Sequence, residues 1–238
     1  MIRTILFYIG VVLSLILSLL APIKIKYLSL RKKYTERTML IHKTSYIWAR
    51  FIMKISGAKI KVNGLDNIPK DETVLFVSNH QSDFDIPLLM SIINVPKGFI
   101  AKKELETVPI VSLWMKYIRC IFMDRSNLRK SAQAIVEGVN ILKEGHSMVI
   151  FPEGTRSKGG PHGEFKAGSF KLATKAKVKI VPITIDGSYK LYEANNGRIV
   201  PSNVTVTIHP SVDVSSLSKE QEINLHEDLE KIIFSSIE

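Results

Sequence analysis

The chain has 238 residues, of which 45% are hydrophobic and 23% charged. That excludes a disordered, collagen-like or disulfide-stapled protein and leaves material for one core domain with an appendage. Lys and Arg number 33 against 22 Asp and Glu, a formal net charge of +11, so a negatively charged partner is expected, and charge alone does not choose among nucleic acid, anionic lipid and phosphorylated substrate. Cys120 is the sole cysteine, so no internal disulfide forms and no oxidising compartment is required.

The first predicted element is Thr4 to Ile23, 20 residues without a charge, preceded by Arg3 and followed by Lys24 and Lys26. As a helix it is about 30 Å long, close to the hydrocarbon thickness of a bilayer. It reads as a retained anchor or as a cleaved signal, and Ser18-Leu19-Leu20-Ala21-Pro22 supplies a small-residue cleavage site poorly, which favours retention. Six basic residues lie between Lys24 and Arg37 and only Arg3 lies before the run, which predicts the body of the protein on the cytoplasmic side if this helix spans. Whether it spans or lies in one leaflet stays open. Thr35 to Ser56 mixes apolar and aromatic residues such as Trp48 and Phe51 with Arg37, Lys43 and Arg50. That composition fits a helix at a lipid headgroup interface or one packed on its own domain.

After Gly57 the pattern changes. Strands are predicted at Ala58 to Val62, Thr73 to Ser78, Gly98 to Ala101, Ser147 to Phe151, Ile180 to Ile185 and Val204 to His209. Helices are predicted at Pro87 to Ile93, Thr107 to Ile118, Ser126 to Glu144, Phe165 to Ala176 and Lys219 to Ile237. The expected architecture is an α/β domain over residues 58–238, a mixed sheet flanked by helices, behind membrane-anchoring helices over residues 1–57. In open α/β sheets ligands sit beyond the carboxyl ends of strands, so the residues just after each apolar run carry the information.

The run Thr73 to Ser78 leads directly into Asn79-His80-Gln81-Ser82-Asp83-Phe84-Asp85-Ile86-Pro87. Five helical positions amount to about 140° beyond full turns, so His80 and Asp85 cannot share a helix face. They meet if His80 lies in the loop and Asp85 opens the helix, where Pro87 is tolerated. Asp85 would then fix one ring nitrogen and leave the other as a base. No Gly-x-Ser-x-Gly elbow supports Ser82 as a nucleophile, so a base acting on the substrate's own hydroxyl is the simpler reading. Two others stand beside it: a helix cap with a structural histidine, and a metal held by His80, Asp83 and Asp85, which lacks further ligand spacing.

The second cluster, Pro152-Glu153-Gly154-Thr155-Arg156-Ser157-Lys158-Gly159-Gly160, follows the run Met148 to Phe151. Gly154 lets backbone approach a ligand, Thr155 and Ser157 offer hydroxyls, and Arg156 can grip two oxygens of one phosphate. Glu153 would repel a phosphate in contact, so it is expected to bond Arg156 or a substrate hydroxyl. A plain surface turn is the alternative. His42, His146, His162, His209 and His226 share no spacing and read as surface or packing residues.

Asn79 to Asp85 followed about 70 residues later by Phe151 to Ser157 resembles the lysophosphatidic acid (1-acylglycerol-3-phosphate) acyltransferase family, whose signature is His-x4-Asp and Phe-Pro-Glu-Gly-Thr-Arg. Ala101-Lys102-Lys103-Glu104-Leu105, Met123-Asp124-Arg125 and Val181-Pro182-Ile183 extend the resemblance from about Ile60 to Thr184. Position by position it implies His80 as catalytic base with Asp85 as its partner. It further implies Glu153, Gly154, Thr155, Arg156, Lys102, Lys103 and Arg125 at the substrate phosphate, and Val181 and Pro182 at the acyl site. Ser112 stands where the family often has glycine, which touches the local backbone only. The resemblance implies lysophosphatidate and an acyl thioester, acyl-CoA or acyl-ACP, as substrates, a membrane as partner, possible use of acyl carrier protein, no nucleic acid, and no metal or other cofactor. Glycerol 3-phosphate or another lysophospholipid is the alternative acceptor. A non-catalytic, membrane-tethered binder of anionic lipid is the rival of another class.

Overall fold

A computed structural model describes residues 1–124 and 126–237. The body is a seven-stranded sheet built from β1 (Lys59–Asn63), β2 (Val74–Ser78), β3 (Lys97–Lys102), β4 (Ile121–Met123), β5 (Ser147–Ile150), β6 (Lys179–Asp186) and β7 (Asn203–Ile208), in the order β1-β7-β6-β2-β5-β3-β4. Neighbouring strands are parallel except β6 and β7, so the sheet is mixed. The helices are α1 (Ile2–Ser18), α2 (Ala21–Leu30), α3 (Tyr34–Ser56), α4 (Asp85–Ile92), α5 (Val111–Tyr117), α6 (Leu128–Lys143), α7 (Lys171–Ala176) and α8 (Lys219–Phe234).

The continuous apolar run of β2 follows from its central place. Val74 and Phe76 pack with α3 and α4 on one face, while Leu75 and Val77 pack with α6, α7 and α8 on the other. The six strands expected from sequence are present within a residue or two. β4 was not expected: it is three residues long and pairs only with β3 at the sheet edge, too short for an alternating pattern to show. The helix predicted from Thr107 to Ile118 shortens to α5, with a 3-10 turn at Lys103–Thr107 ahead of it. The one predicted over Phe165 to Ala176 likewise divides into a 3-10 turn and α7.

The apolar N-terminal run continues through a turn at Leu19 and Leu20 to Leu30, with Pro22 at the start of α2 where its missing N–H has no intrahelical partner to lose. Ile2–Leu30 is long and apolar enough to cross a membrane, with a mean hydropathy of 2.5. One side of α1 is nevertheless docked on the body. Thr4 Oγ1 accepts from Ile199 N at 3.0 Å, the Phe7 and Phe84 rings lie 5.6 Å apart, and Trp48 and Trp114 donate their indole N–H to Ser14 and Ser18 at 3.1 and 2.7 Å. The opposite side, with Leu6, Ile9, Leu13 and Leu17, is exposed. α3 packs on its own domain through Ile41, Ala49, Ile52 and Met53, which are buried in the core, while Met39, Ile47 and Phe51 on its other face are exposed.

Candidate active site

β2, β5 and β6 end side by side, and their loops are tied together. The Asn79 side chain donates to Ile185 O at 2.8 Å and accepts from Ile185 N at 2.7 Å, continuing the β2–β6 ladder one residue past the strand. Ser157 N donates to His80 O at 2.9 Å and Lys158 N to Gln81 O at 3.1 Å, joining the loop after β5 to the loop after β2. Between them Gly154, at φ 73°, makes a left-handed turn that a side chain would strain.

Asp85 is the first residue of α4 and fully buried, and its Oδ2 accepts three hydrogen bonds: His80 Nδ1 at 2.7 Å, Gln81 N at 2.7 Å and Ser82 N at 2.9 Å. The helix N-terminus favours negative charge there. With the carboxylate accepting on Nδ1, the lone pair of His80 is on Nε2. The ring stacks on Phe151 at 4.1 Å between centroids, which holds its plane.

Glu153 does not bond Arg156. It is 4% exposed, and its oxygens accept from His80 N at 2.6 Å and Gly163 N at 3.0 Å, so it shapes the loop from behind. Burial raises its pKa, opposed by those two N–H bonds. Arg156 pairs instead with Asp83, and lies 3.6 Å from Glu193. Glu193 was missed: it is a lone glutamate in a 3-10 turn beyond β6, without a pattern around it. Its carboxylate accepts from Ser82 Oγ at 2.7 Å and Asp83 N at 2.9 Å, linking the His80–Asp85 loop to the arginine.

His80, Gly154, Thr155, Arg156 and Lys102 line one end of a cavity of about 480 Å³ whose remainder is largely apolar, walled by Trp48, Met90, Phe99, Trp114 and Ile118. Lys103 stands outside it, 3.5 Å from Asp124. Val181 and Pro182 are buried within β6, opposite Phe76 and Val77, and do not line the cavity. Arg125 lies outside the described residues. Among the described residues no group of three His, Cys, Asp or Glu is placed to hold a metal ion.

An imidazole oriented by a carboxylate thus lies beside an arginine at a largely apolar cavity. The acyltransferase family matches residues 59–186. The chain is 35% identical over 185 residues to the 1-acyl-sn-glycerol-3-phosphate acyltransferase of Borreliella burgdorferi, covering 76% of this chain and 74% of that one. It is 38% identical over 151 residues to the probable 1-acyl-sn-glycerol-3-phosphate acyltransferase of Mycoplasma pneumoniae, covering 61% of this chain and 56% of that one. The fold matches the crystal structure of the 1-acyl-sn-glycerophosphate (LPA) acyltransferase PlsC from Thermotoga maritima with a TM-score of 0.85 and 29% identity, covering 98% of this chain and 92% of that one. The chain therefore belongs to the acyltransferase family.

Proposed function

We propose that the enzyme transfers an acyl group from an acyl thioester, acyl-CoA or acyl-ACP, to the free hydroxyl of 1-acylglycerol 3-phosphate, giving phosphatidic acid. His80 Nε2 removes the hydroxyl proton, the oxygen attacks the thioester carbonyl, the C–S bond breaks, and the proton passes from the imidazolium to the leaving thiolate. The step balances without a metal or redox cofactor. Asp85 orients the ring and stabilises its charged form. Arg156, with Lys102, Gly154 and Thr155, receives the acceptor phosphate, and the apolar cavity receives an acyl chain. The observation that carries this reading is the placement of one oriented imidazole where that cavity meets the arginine.

The apolar N-terminus supports membrane association. One side of α1 docks on the body at Thr4, Phe7, Ser14 and Ser18 and the rest of the helix is exposed, so that exposed side meets lipid, and if the helix spans, the basic residues after it place the body on the cytoplasmic side.

The test is thioester-dependent acylation of lysophosphatidate by purified protein, with both donors. His80→Ala lowers kcat by about 10²–10⁴-fold. Equal activity in the two proteins overturns the base. Arg156→Lys keeps the charge and loses the fork, so acceptor KM rises at unchanged melting temperature. An unaltered acceptor KM moves the phosphate elsewhere.

A further inference from the structure

We propose that a second cavity, at the opposite end of β3 from His80, is a binding site for a phosphate group separate from that of the acceptor. β3 runs from Lys97 to Lys102, about 16 Å at strand spacing, with Lys102 at the mouth of the acyl cavity and Lys97 in the second one. One phosphomonoester cannot reach both.

This cavity encloses about 280 Å³ and gathers Arg37, His42, Lys97, Lys116, Arg119 and His146 from α3, β3, the end of α5 and the turn before β5. Among the described residues no Asp or Glu lines it. The two acids that touch this set do so at its exposed ends: Glu106 lies 3.6 Å from Lys116, and Glu144 pairs with Arg119 at 2.5 Å. Inside, Lys97 is buried and its ammonium donates to Ile93 O at 2.7 Å and Val95 O at 3.3 Å, carbonyls that leave its charge uncompensated. Arg37 Nε is buried without a hydrogen-bond partner. A buried donor left unmade and a buried cation left unpaired are both unfavourable, and an oxyanion with several acceptor oxygens answers both.

The groups also feel one another. Burial is the first cause that lowers the His146 pKa to about 4, and Arg119, Lys97 and His42 push it the same way. Burial first and then Lys97 lower His42, against its bond to Asn94, and burial alone brings Lys97 to about 7. The imidazoles of His42 and His146 are therefore uncharged at neutral pH, the positive charge around the cavity is that of Arg37, Lys116, Arg119 and in part Lys97, and an entering anion would draw protons onto the two histidines. Phosphate fits the arginine forks and the volume. It reaches the cavity from one of two sources: an anionic phospholipid headgroup, since the cavity lies near the α2–α3 corner where Arg31, Lys32 and Lys33 are exposed, or a soluble phosphate.

The test follows the imidazole NMR signals of the full-length protein in phosphatidylcholine bicelles, with Arg156→Gln removing the other anion grip. Inorganic phosphate is titrated in one arm. In the other, part of the phosphatidylcholine is replaced by phosphatidylglycerol with no free phosphate. The His42 and His146 signals are expected to move while that of exposed His226 stays, and Arg37→Gln and Arg119→Gln each weaken the response by about tenfold or more. Movement with inorganic phosphate alone supports a soluble ligand, and movement with phosphatidylglycerol alone supports a headgroup. No movement in either arm, or movement in both arginine variants as large as in the parent protein, overturns the site whatever becomes of the acyl-transfer reading, which His80 reports on separately.

Discussion

At the carboxyl end of the central strands charges are matched, although Asp85 Oδ1 is buried without a partner: Asp85 Oδ2 has His80 and two backbone N–H groups, Arg156 has Asp83 and Glu193, and Glu153 has the N–H groups of His80 and Gly163. At the amino end of β3, Lys97, His42, His146 and Arg37 face a cavity that, among the described residues, has no acid in its lining. In the proposed reaction the first arrangement would hold His80 and Arg156 in place before substrate arrives, since each is held by a partner that is not substrate. The second leaves a buried arginine donor and a buried lysine without an acid and holds its two imidazoles uncharged, an arrangement that an entering anion would stabilise. Matching and mismatching of charge thus separate a site built for geometry from one built for affinity.

The largest break in the matched end is Asp85→Asn. The amide loses charge and turns an N–H group toward N–H donors, so kcat is expected to fall by about 10²–10⁴-fold together with the melting temperature. Activity within tenfold of wild type, measured on folded protein, would reduce Asp85 to a helix cap. Next is Glu193→Ala, which frees Arg156 and the Ser82–Asp83 backbone at once. Acceptor KM is expected to rise about tenfold or more at constant donor KM, and the effect to be non-additive with Arg156→Ala. Additive losses spread over both substrates would show that Glu193 only supports the fold.

The matched end was the more legible of the two. His80, Asp85 and the Glu153–Arg156 turn are contiguous polar clusters abutting apolar strands, and their meeting follows from the parallel pairing of β2 with β5. Glu193 left no sign because it joins the site through a 3-10 turn more than a hundred residues from His80. Val181 and Pro182 were placed at the acyl site by the resemblance alone, and their apolar strand pattern does not say which of two covered faces borders a cavity. The mismatched end was illegible. His42, Lys97, Arg119 and His146 come from four separate elements, and the two histidines read as surface or packing residues until the fold set them around one cavity.

Proton linkage sharpens the contrast. His146 keeps its proton off in the folded state down to about pH 4, whereas the unfolded chain takes one up near 6.5, so stability falls as pH drops through that window. Lys97 loses its proton near 7 when folded and near 10.5 when unfolded, so stability rises with pH between those values. Urea midpoints are expected to show both limbs, on the order of 3 kcal/mol for the acid limb and about 5 kcal/mol for the alkaline one, with His146→Gln flattening the first and Lys97→Met the second. Saturating phosphate should flatten both in the wild type by restoring the folded pKa values. Limbs untouched by either substitution would locate the titration elsewhere.

The smallest effect distinguishes two adjacent lysines. Lys102 ends β3 at the cavity mouth, with Glu104 at 3.2 Å, while Lys103 turns to Asp124, which Lys130 also approaches at 3.6 Å. All are exposed pairs that contribute little to stability, so the difference between them is one of direction toward the acceptor. Lys102→Gln is expected to raise acceptor KM about two- to fivefold at low salt, an effect that fades near 1 M salt as screening shortens, and Lys103→Gln to stay within about twofold. A larger effect at Lys103 would mean that Asp124 releases it when the acceptor binds. The matched end would then rearrange on binding, and the contrast with the cationic cavity would lose its basis in preformed geometry.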